Sequence, residues 1–271
     1  MFLLLAACGG GSNSNPMPDG STPDDGGPTA DAAMPTEHAL VQIQLEPPEF
    51  SGETPFTTIT GGFQLAPDPR CRIQSVGDCV VADCPQALIG GTYADPGRLS
   101  FSPALGGTIA FTPGASFLFF SIDQVPWAAD ESITLAADGA TVPAFSLTGK
   151  SPRTLDAGEG RSPFGAPMSR TQPFTATWVP TSEQALVVLR QGRDTPNGEF
   201  EIIVQCHGPG SSGGLTVPAA ALASFLPKAS GGLSVEVTAH AMRETKTIAG
   251  EWEVTLRVLR SFDQTFFHDV Q

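Results

Sequence analysis

Charge is scarce in this 271-residue chain: Asp, Glu, Lys and Arg make up 15%, and 14 basic residues face 28 acidic ones, for a net charge of −14. A nucleic-acid surface needs a basic footprint, so neither DNA nor RNA is an expected partner. No run of about 18 apolar residues occurs, which leaves no candidate membrane-spanning helix. Glycine does not recur at every third position, and the Ala/Glu/Lys/Leu richness of a coiled coil is missing, so fibrous classes are excluded. Aromatic side chains of the sugar-stacking kind are few, one tyrosine and three tryptophans. What the chain does have is 30 Gly and 25 Pro, well above a background of roughly 12% for the two together. That excess reads as many turns in one or two globular domains, with ample length to bury a core.

The chain opens Met1-Phe2-Leu3-Leu4-Leu5-Ala6-Ala7-Cys8 and continues Gly9-Gly10-Gly11-Ser12. Leu5-Ala6-Ala7-Cys8 resembles a bacterial lipobox, in which an apolar residue and two small ones precede a lipidated cysteine. The resemblance implies removal of residues 1–7, acylation of Cys8 and anchoring to a membrane. Several acyl chains, at about 0.8 kcal/mol per buried methylene, hold a soluble domain there durably. Gly9, rather than Asp, implies sorting to the outer membrane. An export leader carries a basic start and about 7–15 apolar residues. Only Phe2 to Ala7 precede the cysteine here, so the leader is expected to begin upstream of Met1.

Residues 9–37 hold six Gly, five Pro, five acids and no basic residue. Such a segment cannot bury enough apolar surface to offset chain entropy, so 8–37 is expected to be a lipidated, disordered tether. At about 5–6 Å × √n, its reach is roughly 30 Å. Pro28-Thr29-Ala30-Asp31-Ala32-Ala33-Met34-Pro35 is similar to the linkers of myxobacterial lipoproteins. Its acids lack the alternating ligand spacing of a calcium loop.

From residue 38 the pattern is that of short β-strands. Val41-Gln42-Ile43-Gln44-Leu45 alternates with period two. Glu251 to Val258 places Trp252, Val254, Leu256 and Val258 on one face and Glu251, Glu253, Thr255 and Arg257 on the other. Phe200, Ile202, Val204 and Cys206 likewise oppose Glu199, Glu201 and Gln205. Asp194-Thr195-Pro196-Asn197-Gly198 joins that strand to the apolar run 185–190, and Asn-Gly is a strong hairpin signal. Pro218 and Pro227 bracket one short helix near 219–225. The fold class is therefore all-β. Gly158 to Pro173 is an aperiodic Gly/Pro stretch, unusual inside a compact domain. It divides the chain into two Ig-like β-sandwich lobes, 38–150 and 151–271; a single larger sandwich with a long crossing loop is the alternative.

With Cys8 set aside, Cys71, Cys79, Cys84 and Cys206 remain. An even number in an exported protein reads as two disulfides, with three connectivities open. Because three of the four lie within 14 residues, full pairing forces one bond from that segment to Cys206. On the chain-entropy model such a bond is worth about 4–5 kcal/mol, and it would clamp the lobes together. Cys79 and Cys84 have no second close pair and no histidine at ligand spacing, so zinc is not expected. Redox chemistry is not expected either, for want of Cys-x-x-Cys.

Two motifs imitate catalytic ones. Ala144 to Ser151 fits a loose phosphate-binding loop, but that loop needs a helix start within a parallel α/β fold. Gly210-Ser211-Ser212-Gly213-Gly214 spells G-x-S-x-G, with Asp263 and His268 in hydrolase order. A strained strand-to-helix elbow is required there, and Leu215-Thr216-Val217 intervenes before the helix. His38, His207, His240 and His268 are scattered, with His207 and His240 on polar strand faces expected to meet solvent. Glu199/Glu201 and Glu251/Glu253 share faces, as exposed carboxylates do. Trp178 and Trp252 alternate with apolar residues and belong to cores, which leaves Tyr93 and Trp127 as candidate sugar platforms. The expectation is a lipid-anchored protein, periplasmic or on the cell surface. It would play a non-enzymatic binding or structural role towards a protein or glycan, without cofactor or metal. A hydrolase using Ser212 or a carboxylate pair, and a carbohydrate-binding module, are the other readings.

Overall fold

A computed structural model describes residues 37–46, 55–67, 70–85, 91–105, 107–113, 118–156, 168–195, 198–227, 234–261 and 266–269. The first strands are β1 (Glu37–Glu46), β2 (Phe56–Pro67), β3 (Arg72–Val76), β4 (Cys79–Pro85) and β5 (Gly91–Tyr93). Next come β6 (Leu99–Ala104), β7 (Gly107–Phe111), β8 (Leu118–Ile122), β9 (Ser132–Ala137) and β10 (Phe145–Lys150). β11 (Phe174–Thr177), β12 (Gln184–Thr195) and β13 (Gly198–Pro209) follow, then β14 (Gly214–Val217) and the helix α1 (Ala219–Leu222). β15 (Val235–Ala249), β16 (Trp252–Ser261) and β17 (Phe266–His268) complete the chain. The fold is all-β and sandwich-like, with one short helix. Residues 1–36, with Cys8 and all of the expected tether but Glu37, lie outside the described residues; Glu37, expected in the tether, is instead the first residue of β1.

The main sheet has eleven strands, ordered β3-β4-β13-β12-β15-β16-β1-β2-β5, with β8 also on β2 and β17 on β15. Four strands of the C-terminal half, β13-β12-β15-β16, lie between two groups from the N-terminal half, β3-β4 and β1-β2-β5. β1 runs parallel to β16, Val41 opposite Leu256, and the other pairs are antiparallel. Not every strand is short: β12 and β13 have 12 residues each and β15 has 15. The β12–β13 register pairs Thr195 with Gly198. Pro196 and Asn197 therefore connect the strands, one position ahead of the Asn-Gly pair; both lie outside the described residues.

One face of this sheet carries two apolar clusters. The first joins Val81, Val187, Ile202, Val204, Val235 and Val237 to Phe174, Trp178, Val217 and Phe225. These last four sit on or beside α1 and the small β11–β14 sheet. The second joins Val41, Ile43, Ile59, Trp252, Val254 and Leu256 to Leu99, Phe101, Ile133 and Leu135 of a four-stranded sheet, β10-β9-β6-β7. Each such side chain, fully buried, contributes about 1.5–3 kcal/mol. β15 serves both clusters, through Val235 to Ala241 in the first and Ala249 in the second. Gly149 lets β10 approach closely, because an added Cβ would stand 3.2 Å from Thr245 Oγ1 and 3.3 Å from Leu256 Cδ2.

One disulfide closes the β3–β4 hairpin, Cys71–Cys84, and a second, Cys79–Cys206, ties that hairpin to β13. Cys79 and Cys206 are directly opposed on β4 and β13, with Cα atoms 4.0 Å apart. His207 N–H donates to the Asp78 carbonyl at the neighbouring pair. That makes Cys79–Cys206 a non-hydrogen-bonded pair, where antiparallel strands bring side chains closest. The bond spans 127 residues, and Cys71–Cys84 spans 13. Cys79 and Cys84 are an odd number of residues apart on one strand, so they point to opposite faces. Each finds its own partner.

Candidate functional site

Between the two apolar clusters, strands that should stay apolar become charged. β15 runs Val235, Val237, Ala239, Ala241 on its core face and then reaches Arg243; β16 runs Trp252, Val254, Leu256, Val258 and then Arg260. The β15–β16 register, Arg243 opposite Val258 and Ala241 opposite Arg260, sets both arginines on that same face. They fill the seam where one covering layer ends and the other begins.

Glu183, 3% exposed, lies just before β12. Arg243 grips its carboxylate with two bonds, Nε to Oε2 and Nη2 to Oε1, both 2.7 Å. The Arg153 backbone N–H adds a third at 3.2 Å. Arg243 Nη2 also donates to Asp130 Oδ1 at 2.8 Å, while Arg153 Nε donates to Asp130 Oδ2 at 2.7 Å. Asp130 holds φ of 64°, the one non-glycine residue at positive φ among those described. A short polar side chain tolerates that region best, and the strained loop delivers its carboxylate between two guanidinium groups. Among the described residues no carboxylate pairs with Arg260. It donates instead to the Pro152 and Trp127 carbonyls at 2.9 and 2.8 Å and to Ser151 Oγ at 2.9 Å.

The electrostatics follow from these contacts. The Arg243 and Arg153 hydrogen bonds hold the Asp130 carboxyl below the usual carboxylate range. Glu183, against some burial, pushes the Arg243 pKa up, and Asp130 adds to it. Burial alone draws Arg260 down. Carboxylates already taken up by two arginines are poor general bases, and the arrangement is suited to clamping the β9–β10 layer onto the main sheet. Beside it opens a cleft of about 550 Å³, lined by Asp130, Thr148, Lys150, Ser182, Gln184 and Glu244 among others. It lies at a junction of layers, where ligand sites commonly occur.

The other face of the main sheet is also buried in part, and there polar side chains sit beside an apolar cluster of Leu186, Val188, Ile203, Met242 and Leu259. His240 is 1% exposed, and burial, with Arg190 nearby, lowers its pKa to about 3. Its ring is within hydrogen-bond distance of Thr238 Oγ1 (3.0 Å) and Ser261 Oγ (3.1 Å). The expectation that His240 meets solvent is thus corrected: alternation assigned the right face, but that face is covered. Arg257, on the same face, is buried and bonds Glu244 Oε1 at 2.6 Å. Burial also lowers the His207 pKa and raises that of Glu201.

The remaining candidates stand apart. Ser212 ends a 3-10 turn, with its hydroxyl 2.7 and 2.6 Å from the Pro209 and Gly214 carbonyls. His268 instead packs edge-on to Phe174, with centroids 5.8 Å apart; Asp263 lies outside the described residues. The loose phosphate-loop match falls on β10 and is strand. Trp127, an expected sugar platform, is 1% exposed and donates its indole N–H to the Pro103 carbonyl, so it belongs to the core. Tyr93 is half-buried on β5. His38 is 3.7 Å from Glu253, which Lys246 also pairs; Glu251 is exposed, and the Glu199 side chain lies outside the described residues. Among the described residues no group of three or more His, Cys, Asp or Glu could hold a metal ion. Asp130, Glu183, Arg243 and Arg260 were not singled out from sequence, although a charge breaking into an apolar phase of β15 and β16 is a readable signal. No family model matches the chain, and no curated protein matches it.

Proposed function

We propose that this is an exported, lipid-anchored envelope protein whose folded region has a non-enzymatic binding or structural role, held to the outer membrane through Cys8. The observation that carries the reading is the cysteine ledger. Cys71–Cys84 and Cys79–Cys206 use four of the five cysteines. Disulfides persist in oxidising compartments outside the cytoplasm, and Cys8, in its lipobox-like setting, is the thiol left over. The clamped two-layer seam supports a rigid presenting scaffold, and the polar cleft beside it supports recognition of a protein or glycan rather than turnover. The test is metabolic labelling with a radioactive or clickable fatty acid, followed by membrane fractionation. The wild type should carry label and sediment with membranes, and Cys8→Ser should lose both. Unlabelled wild type would refute the anchor.

A further inference from the structure

The cleft beside the seam is lined by charges of both signs, and they do not balance. Three carboxylates line it, and each is held by a guanidinium. Arg243 takes Glu183 and Asp130, Arg153 takes Asp130 as well, and Arg257 takes Glu244 at 2.6 Å. Lys150, at the end of β10, lines the same cleft. Among the described residues no carboxylate pairs with its ammonium group, although acids outnumber bases 28 to 14 in the chain. Four cations thus stand against three carboxylates, and the uncompensated charge is that of Lys150.

The rest of the wall is polar and uncommitted. Ser182, Gln184 and Thr245 line the cleft, and among the described residues their side chains make no hydrogen bond. Gly149 keeps the Thr245 hydroxyl uncovered, because an added Cβ would stand 3.2 Å from Thr245 Oγ1. Hydroxyl and amide groups both donate and accept, which matches the hydroxyls of a sugar. Met242 is the one apolar side chain in the lining, and no aromatic ring belongs to it. The apolar side chains of a peptide would find no pocket there. The volume, about 550 Å³, falls within the roughly 300–1,000 Å³ of small-molecule sites.

We infer that this cleft is a subsite for a uronate, a sugar unit carrying one carboxylate. Lys150 is its counter-ion, and Ser182, Gln184 and Thr245 take its hydroxyls. The inference rests on the binding role proposed above and names the ligand class. One unpaired cation matches a monoanion, whereas a phosphate monoester would set a second negative charge against Asp130 and Glu244. The net charge of −14 repels a polyanion at long range, so binding has to come from a local contact.

Isothermal titration of the full chain with oligomers of galacturonate, mannuronate and glucuronate, at about 0.15 M ionic strength, tests this. At least one acid should bind. Its methyl ester keeps the hydroxyls and loses the charge, and should bind roughly 10–100-fold more weakly. Lys150→Gln should weaken binding of the acid by a similar factor while leaving the unfolding midpoint unchanged, and Lys150→Arg should restore most of it. Lys246→Gln, at an exposed lysine outside the lining, should change nothing. Equal binding of acid and ester, equal losses in Lys150→Gln and Lys246→Gln, or no binding of any of the three acids overturns the inference. None of these results bears on fatty-acid labelling at Cys8. Release of new reducing ends from a bound oligomer would support the subsite and overturn the non-enzymatic role instead.

Discussion

Replacing Arg243 with Met is the most informative perturbation of the seam. The substitution keeps the stem's volume and removes the guanidinium that makes two 2.7 Å bonds to Glu183. Glu183 would then keep only the Arg153 N–H at 3.2 Å, at 3% exposure. Charges about 4 Å apart attract by roughly 4 kcal/mol at an effective dielectric of about 20. Losing one partner of a buried pair costs about 3–5 kcal/mol, because the orphaned charge stays buried. At roughly 2–4 °C per kcal/mol for a chain of this size, Tm should fall by about 6–20 °C. The double variant Arg243→Met/Glu183→Gln removes the orphan and should recover a large part of that loss. Urea or thermal unfolding at pH 7 measures both effects. If Arg243→Met costs under about 1 kcal/mol, or if the double variant is no better than the single, then the seam is an ordinary surface ion pair and the clamp reading fails.

Other perturbations separate the remaining contributions. Arg153→Ala, which removes an exposed pair to Asp130, should leave the midpoint in the same unfolding assay close to the wild type's, because exposed ion pairs contribute little. Replacing both Cys79 and Cys206 with Ala should cost about 5 kcal/mol for the 127-residue loop, against about 3 kcal/mol for Cys71 and Cys84. Denaturant midpoints of the two variants give the order. His240 is held neutral with a folded pKa near 3, below its unfolded value, so it contributes stability above about pH 6.5 that drains away on acidification towards pH 3. His240→Gln should flatten the stability–pH slope across that window, and an unchanged slope would place the acid sensitivity elsewhere. Trp127→Ala should cost about 3–5 kcal/mol as a core truncation; a stable variant that had lost glycan binding would restore Trp127 as a platform.

Much of the strand content was legible because period-two alternation is a local property. Trp252, Val254, Leu256 and Val258 are all buried together, as their spacing requires, and Pro218 does start a helix. The cysteines were legible as a pair of disulfides, and the odd spacing of Cys79 and Cys84 on one strand held part of the connectivity. What alternation does not say is what lies over each face. His240 reads as solvent-facing and is buried, as are Gln205 and Arg257 opposite the apolar positions of their strands, while Trp127, with no periodic context, is core. The seam was missed for a related reason. Glu183, Asp130 and Arg243 are 53 and 60 residues apart along the chain, and no local pattern links a loop aspartate to a strand arginine.

The sequence by itself determined the chain's all-β character, its deficit of basic charge, its turn density and its oxidised cysteines, because backbone preference and composition act over a few residues. Tertiary structure decided the rest. It set β1 parallel to β16 and ran β15 under both apolar clusters. It brought three distant charged groups within hydrogen-bond distance. These outcomes depend on which strand finds which neighbour, and that choice minimises buried, unpaired groups over the whole chain rather than within any one segment.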